Sequence, residues 1–76
     1  MDAEAVKLLA AGICMGLGAI GPALGEGMIG ARAMEAMSRN PKIADKIVPN
    51  MLVAMAVTES TGIYSLVISL ILIFAI

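Results

Sequence analysis

Two acidic residues, Glu26 and Glu59, interrupt otherwise apolar stretches of this chain and are its strongest candidates for chemistry. Glu26 lies fifteen residues before Pro41, and Glu59 lies eighteen residues after it. If the flanking segments are helical and turn at Pro41, both carboxyl groups lie roughly 20–25 Å from the turn, at about 1.5 Å per residue. An ionised group at that depth in hydrocarbon costs at least about 2.5–3.5 kcal/mol, so a functional site is the default interpretation.

Two carboxyl groups held close together do not easily both ionise, because like charges repel. An ionised Glu59, a protonated Glu26 and one bound monovalent cation would make a site that is neutral overall. Hard cations prefer oxygen ligands, and the hydroxyl groups of Ser60, Thr61 and Tyr64 follow Glu59. Alternatively, the Ser60 and Thr61 hydroxyls bond back to helix carbonyls, as hydroxyls commonly do in membrane helices.

The composition indicates a membrane environment for these carboxyl groups. Hydrophobic residues make up 61% of the 76 residues and charged residues 14%, against about 45–50% and 25% in soluble domains. A net charge of -1 and few aromatic residues exclude a typical nucleic-acid-binding surface. Cys14 is the single cysteine, so no disulfide framework or cysteine metal cluster is expected, and we interpret it as a small buried apolar residue.

Two apolar segments, at about residues 5–31 and 47–76, each exceed the roughly 20 residues that cross a bilayer as a helix. Asn40-Pro41 marks the turn between them, because proline disfavours helix in the residue before it. The predicted fold is all-α, a single transmembrane hairpin of two helices. Its limits are residues 1–76 for the domain, about 4–39 for the first helix, about 39–43 for the polar loop and about 44–76 for the second helix.

Basic residues fix the expected orientation of this hairpin. Four of the five, Arg32, Arg39, Lys42 and Lys46, flank the turn, whereas only Lys7 lies near an outer end. The positive-inside rule therefore places the loop in the cytoplasm and both termini on the opposite side. The loop charges fit either a solvated connector or a docking surface for a partner.

Glycine is concentrated in the first helix, where residues 16–21 match G-x-G-x-x-G. A dinucleotide-binding turn would require a preceding strand and a soluble βαβ unit, and neither is expected in an apolar segment of this length. At about 100° per residue, the small residues instead form two opposite faces. One face carries Gly18, Gly21 and Gly25, and the other carries Gly12, Gly16, Ala23, Gly27 and Gly30. Two such faces suit a helix with an equivalent neighbour on each side, an arrangement that closes into a homo-oligomeric ring.

The glycine-rich first helix, the Arg39-Asn40-Pro41 turn and the carboxylate Glu59 together resemble the c-subunit of F-type ATP synthases along nearly the whole chain. That family usually has Arg-Gln-Pro at the turn. The resemblance implies a non-catalytic rotor protein of the bacterial plasma membrane that binds no nucleotide. Its expected partners are identical copies in a ring, membrane lipids, the a-subunit with its ion channels, and the gamma and epsilon proteins of the central stalk, which would contact the polar loop.

Glu59-Ser60-Thr61 with Tyr64 beyond is similar to the sodium-coupled branch of that family. The resemblance implies Na⁺ as the bound ion, and its ligands would be Glu26, the Val57 carbonyl, Glu59 and Ser60. Thr61 would support a water molecule and Tyr64 would donate a hydrogen bond to Glu59. Glu26 departs from the glutamine of many sodium rotors, so a proton-coupled rotor using Glu59 stays open. A holin-like or purely structural two-helix membrane protein is the alternative of a different class.

Overall fold

The protein folds as two long antiparallel helices in a computed structural model that describes residues 2–76. Helix α1 spans Ala3–Arg39, a 3-10 helix spans Pro41–Ile43, and helix α2 spans Ala44–Phe74. The molecule measures 58 × 18 × 9 Å, so its long axis exceeds the roughly 30 Å of a bilayer's hydrocarbon core. Both helices are long and apolar enough to cross a membrane. The predicted all-α transmembrane hairpin is confirmed.

A capping hydrogen bond and an ion pair lie at the N-terminal end of α1. The Asp2 side chain caps α1 by accepting a hydrogen bond from the Ala5 backbone N–H at 2.8 Å, which satisfies one of the unpaired donors of the first turn. The Lys7 ammonium lies 3.2 Å from the Glu4 carboxylate. These polar groups mark the end of the membrane-crossing part of α1.

The turn is tighter than the predicted polar loop. Asn40, with φ -144° and ψ 83°, is the residue between α1 and the 3-10 helix. Its N–H donates to the Ala36 carbonyl at 3.1 Å, and its carbonyl accepts from the Ile43 N–H at 3.1 Å. Proline at 41 explains the break, because it forces the preceding residue out of the helical region. At the other end α2 stops at Phe74, before the expected limit of about residue 76.

Small residues form the contact between the two helices. The buried residues are Ala11, Pro22 and Ala33 of α1 together with Gly62 and Ser69 of α2. A Cβ on Gly18 would lie 2.6 Å from the Ser65 Cβ, and one on Gly25 would lie 2.9 Å from the Thr58 Cγ2. The absence of a side chain at these two glycines therefore lets the helices approach closely.

The seven glycines predicted to pack the ring do not behave as one group. Gly18, Gly25 and Gly30 contact α2 of the same chain, and a Cβ on Gly30 would lie 3.2 Å from the Met55 Cε. Open space surrounds the Cβ positions of Gly12, Gly16, Gly21 and Gly27. These contacts lie within one hairpin, so the two predicted faces and their role in packing a ring stay predictions. The residues of α1 that contact α2 shift gradually around α1, because a helix with 3.6 residues per turn does not return to the same angle every seven residues.

A hydroxyl group and a thiol group also form hydrogen bonds between the two helices. The buried Ser69 hydroxyl lies 3.0 Å from the Ala11 carbonyl of α1 and 2.8 Å from the Ser65 carbonyl of its own helix. Cys14 is half-buried, not fully buried as expected, and its thiol donates to the Ser65 carbonyl at 3.6 Å. These contacts join the half of each helix that lies away from the turn.

Candidate ion-binding site

Helices α1 and α2 bring the Glu26 and Glu59 carboxyl groups together. The two groups lie side by side within hydrogen-bonding reach, and both side chains are half-buried. A hydrogen bond between carboxyl groups needs a proton on one of them, because an ionised carboxylate only accepts. The arrangement can therefore hold one negative charge on two carboxyl groups. The similar distances from Pro41 in the sequence place the two groups at similar depth, because an antiparallel hairpin aligns residues equidistant from its turn.

Gly62 and Pro22 form the wall beside the Glu59 carboxyl. A Cβ built on Gly62 would lie 2.8 Å from Glu59 Oε1 and 3.6 Å from the Pro22 Cγ. Both residues are buried between the helices. Neither is among the predicted site residues. A signal for Gly62 was present, since it is the one glycine of α2 and follows Glu59 by three residues, about one helical turn.

The other four predicted site residues lie elsewhere on the surface of α2. Val57 is 68% exposed, Tyr64 is 69% exposed and Thr61 is exposed. At about 100° per residue, Val57 and Thr61 lie about 160° around the helix from Glu59, and Tyr64 lies about 140° from it. One hairpin therefore does not bring these side chains to the Glu26–Glu59 pair.

Ser60 lies on this same side of α2, about 100° around the helix from Glu59. Its hydroxyl donates to the Ala56 carbonyl at 3.2 Å. That bond is the back-bonding expected of serine in a membrane helix. The oxygen still has a lone pair free, so it can accept a hydrogen bond or bind a cation.

The residues predicted to contact a stalk lie at the opposite end of the hairpin from Asp2 and Ile76. Arg39, Asn40 and Pro41 are all exposed. The Arg39 guanidinium forms an ion pair of 2.5 Å with Glu35 one turn earlier. The pair is exposed and lies along α1, so the tip of the hairpin is polar.

The chain is similar to known proteins over most of its length. The family model for the ATP synthase C-subunit matches residues 9–72. The ATP synthase c-subunit of Petrotoga mobilis is 63% identical over 68 residues, which cover 90% of this chain and 71% of that relative. The c-subunit of Dehalococcoides mccartyi is 51% identical over 74 residues, 97% of each chain. The c-subunit of Thermotoga maritima is 60% identical over 63 residues, 83% of this chain and 74% of the relative.

Proposed function

The chain belongs to the ATP synthase C-subunit family, whose members are non-catalytic membrane rotor proteins of the F-type enzyme, and we propose that the ion this rotor carries is Na⁺. In this proposal Glu59 is the ionised ligand and Glu26 the protonated one. Exchange of the ion with the stator turns the rotor and couples ion flow to ATP synthesis. Membership of this family removes the holin-like and purely structural alternatives.

The observation that carries the proposal is the contact between two carboxyl groups within membrane-spanning helices. With one proton on Glu26, the pair has a single negative charge, and one monovalent cation neutralises it. A neutral site avoids the cost of an uncompensated charge in hydrocarbon. A divalent cation would leave an excess positive charge at the same depth.

The positions of the remaining ligands support a site shared by two copies of the hairpin. Val57, Ser60 and Tyr64 lie about 100–160° around α2 from Glu59. A second hairpin beside the first can present that side to the Glu26–Glu59 pair of its neighbour. Repetition of this contact closes a ring, in which each ion has Glu26 and Glu59 from one copy and Val57 and Ser60 from the next. The neighbouring Thr61 and Tyr64 then support a water molecule and the Glu59 carboxylate.

Further partners follow from the family and from the shape of the hairpin. The a-subunit of the stator would meet α2, which carries Glu59, at the rim of the ring, with α1 lining the inside. The gamma and epsilon proteins of the central stalk would contact the exposed tip at Arg39, Asn40 and Pro41. The basic residues around the tip support a cytoplasmic location for it in a bacterial plasma membrane, with both termini on the opposite side.

A proton-coupled rotor is the second candidate, and the bond from Ser60 to Ala56 favours it. A serine hydroxyl already engaged with its own helix needs no role in ion binding. Glu59 would then take up and release a proton, and Glu26 would serve as its hydrogen-bond partner.

Carbodiimide labelling of purified rings distinguishes the two ions, since the reagent attacks protonated carboxyl groups in apolar surroundings. Labelling at Glu59 is followed by mass spectrometry across pH, in NaCl and in matched KCl. Sodium coupling predicts that NaCl slows the reaction and KCl does not. Equal rates in both salts would instead assign Glu59 to protons, and no reaction at Glu59 under any condition would contradict its role as ion carrier.

A further inference from the structure

We infer that Gly62 is a positioning residue whose missing side chain lets the Glu59 carboxyl rest beside Glu26. This inference deepens the proposed function and rests on Glu59 as the ion-carrying group. It concerns where the carboxyl lies and holds for either ion. Gly62 itself would touch no ion.

The space at Gly62 is occupied by the Glu59 side chain and not by the opposite helix. A Cβ at this position would lie 2.8 Å from Glu59 Oε1 and 3.5 Å from its Cδ, whereas the Pro22 Cγ would be at an ordinary contact distance of 3.6 Å. A methyl group at residue 62 therefore fits between the helices but collides with the carboxyl. The atoms that must move are the end of a flexible side chain, so the backbone can keep its place.

The direction in which the carboxyl must move follows from its neighbours. Glu26 and Pro22 lie on the α1 side of Glu59, and Gly62 lies one turn farther along α2. A methyl group at residue 62 pushes the carboxyl out of this corner and toward the exposed flank of α2. The displaced carboxyl moves out of hydrogen-bonding reach of Glu26 and becomes more accessible from the lipid.

Gly62→Ala is the direct test, because alanine is also a better helix former than glycine and α2 should still form. In purified rings without sodium, we expect carbodiimide to label Glu59 about three- to tenfold faster in Gly62→Ala than in the parent, the change expected when one hydrogen bond is lost. Ser65→Ala is the matched control, because Ser65 lies one turn beyond Gly62 and contacts Gly18 instead of Glu59. Its labelling rate should equal that of the parent.

A shorter acid at residue 59 separates positioning from a general disturbance. In Glu59→Asp the carboxyl is one methylene closer to the backbone and does not reach residue 62. Adding Gly62→Ala to this variant should then leave the labelling rate unchanged. If Gly62→Ala rings do not assemble, Glu59→Asp should restore assembly, because it removes the collision.

Two results would overturn the inference: an unchanged rate in Gly62→Ala, or an equal acceleration in the Glu59→Asp background. Failure of Glu59→Asp to rescue an assembly defect would do the same, since the methyl group would then collide elsewhere. These outcomes are independent of sodium coupling. Sodium coupling is decided by the difference between NaCl and KCl in the parent, whereas the role of Gly62 is decided by rates measured without sodium.

Discussion

In the proposed site the two acidic side chains have unequal roles. Glu59 would supply the charge that binds the ion, and Glu26 would supply a proton donor and a carbonyl oxygen beside it. An amide offers a donor and a carbonyl oxygen as well, but it offers no charge. The two positions should therefore respond differently to the same substitution.

Glu59→Gln should reduce ion-coupled ATP synthesis to background, because the charge that holds the ion is gone. Glu26→Gln should retain most of the coupling, because glutamine replaces the protonated acid in both of its functions. Both variants are compared in reconstituted complexes by ATP synthesis driven by a sodium gradient. Assembly of each ring on a gel is the control, and equal loss in both variants would contradict the assigned roles.

The similar depth of the two carboxyl groups could be predicted from the sequence, and the spacing of Gly62 from Glu59 was visible there, but the contact between Gly62 and Glu59 could not be predicted. The depth of each group follows from counting residues from Pro41, whereas contact between the two groups also requires that each helix turns its carboxyl toward the other. The contact between Gly62 and Glu59 depends on the rotamer of Glu59 and on the approach of Pro22 from the other helix. No periodicity in the sequence encodes those two quantities.

The two helices are joined by close approach of small residues and by very few large ones. Gly18 and Gly25 of α1 face side chains of α2, and the buried Ser69 bonds to the Ala11 carbonyl across the interface. In lipid no hydrophobic effect holds helices together, so packing and hydrogen bonds of this kind must do so. The hydropathy and the turn predict that the helices pair. The face that each presents also depends on how they coil, which explains why Gly18, Gly25 and Gly30 contact α2 whereas Gly21 does not.

Gly25→Ala should destabilise the pair by about 1–3 kcal/mol, the usual cost of overpacking. The added Cβ would lie 2.9 Å from the Thr58 Cγ2 methyl. Thr58→Ser removes that methyl and keeps the hydroxyl, which bonds to the Ala54 carbonyl at 2.9 Å. The double variant should recover the lost stability, measured as the temperature at which the ring dissociates in detergent. Lack of recovery would mean that residue 25 contacts something other than Thr58.

Ser69→Ala should have a smaller effect, about 0.6 kcal/mol, the average measured for hydrogen bonds between membrane helices. The substitution leaves the Ala11 carbonyl without its partner from α2, whereas alanine fills nearly the same volume as serine. The same dissociation measurement applies. Ser65→Ala is the comparison, because its hydroxyl bonds within α2, to the Thr61 carbonyl.

Across the whole molecule, apolar surface faces outward along both helices. No large side chain is fully buried within the part of the chain that the structure describes, and leucine, isoleucine, valine and methionine side chains line the outside. In the proposed ring, lipid and neighbouring copies would cover this surface. The polar ends then set the depth of the hairpin, with the basic residues at the turn and Asp2 with Glu4 at the start of α1.

The orientation can be tested with two cysteine variants in a Cys14→Ala background. Lys42→Cys, at the exposed tip, should react with a membrane-impermeant maleimide in inverted vesicles stripped of the soluble head. Asp2→Cys, at the exposed start of α1, should react in vesicles of native orientation. The positive-inside rule is the physical reason for this expectation, and the opposite labelling pattern would reverse the assigned topology.

In the proposed ring, a hairpin with so small an interior makes many of its contacts with neighbouring copies. Unfolding of such a ring is not described by a single unimolecular constant. The relevant variable is the mole fraction of protein in the lipid: enriching the bilayer with protein favours association, and diluting it with lipid favours separated chains. Midpoints from different preparations are therefore comparable only at a matched ratio of lipid to protein.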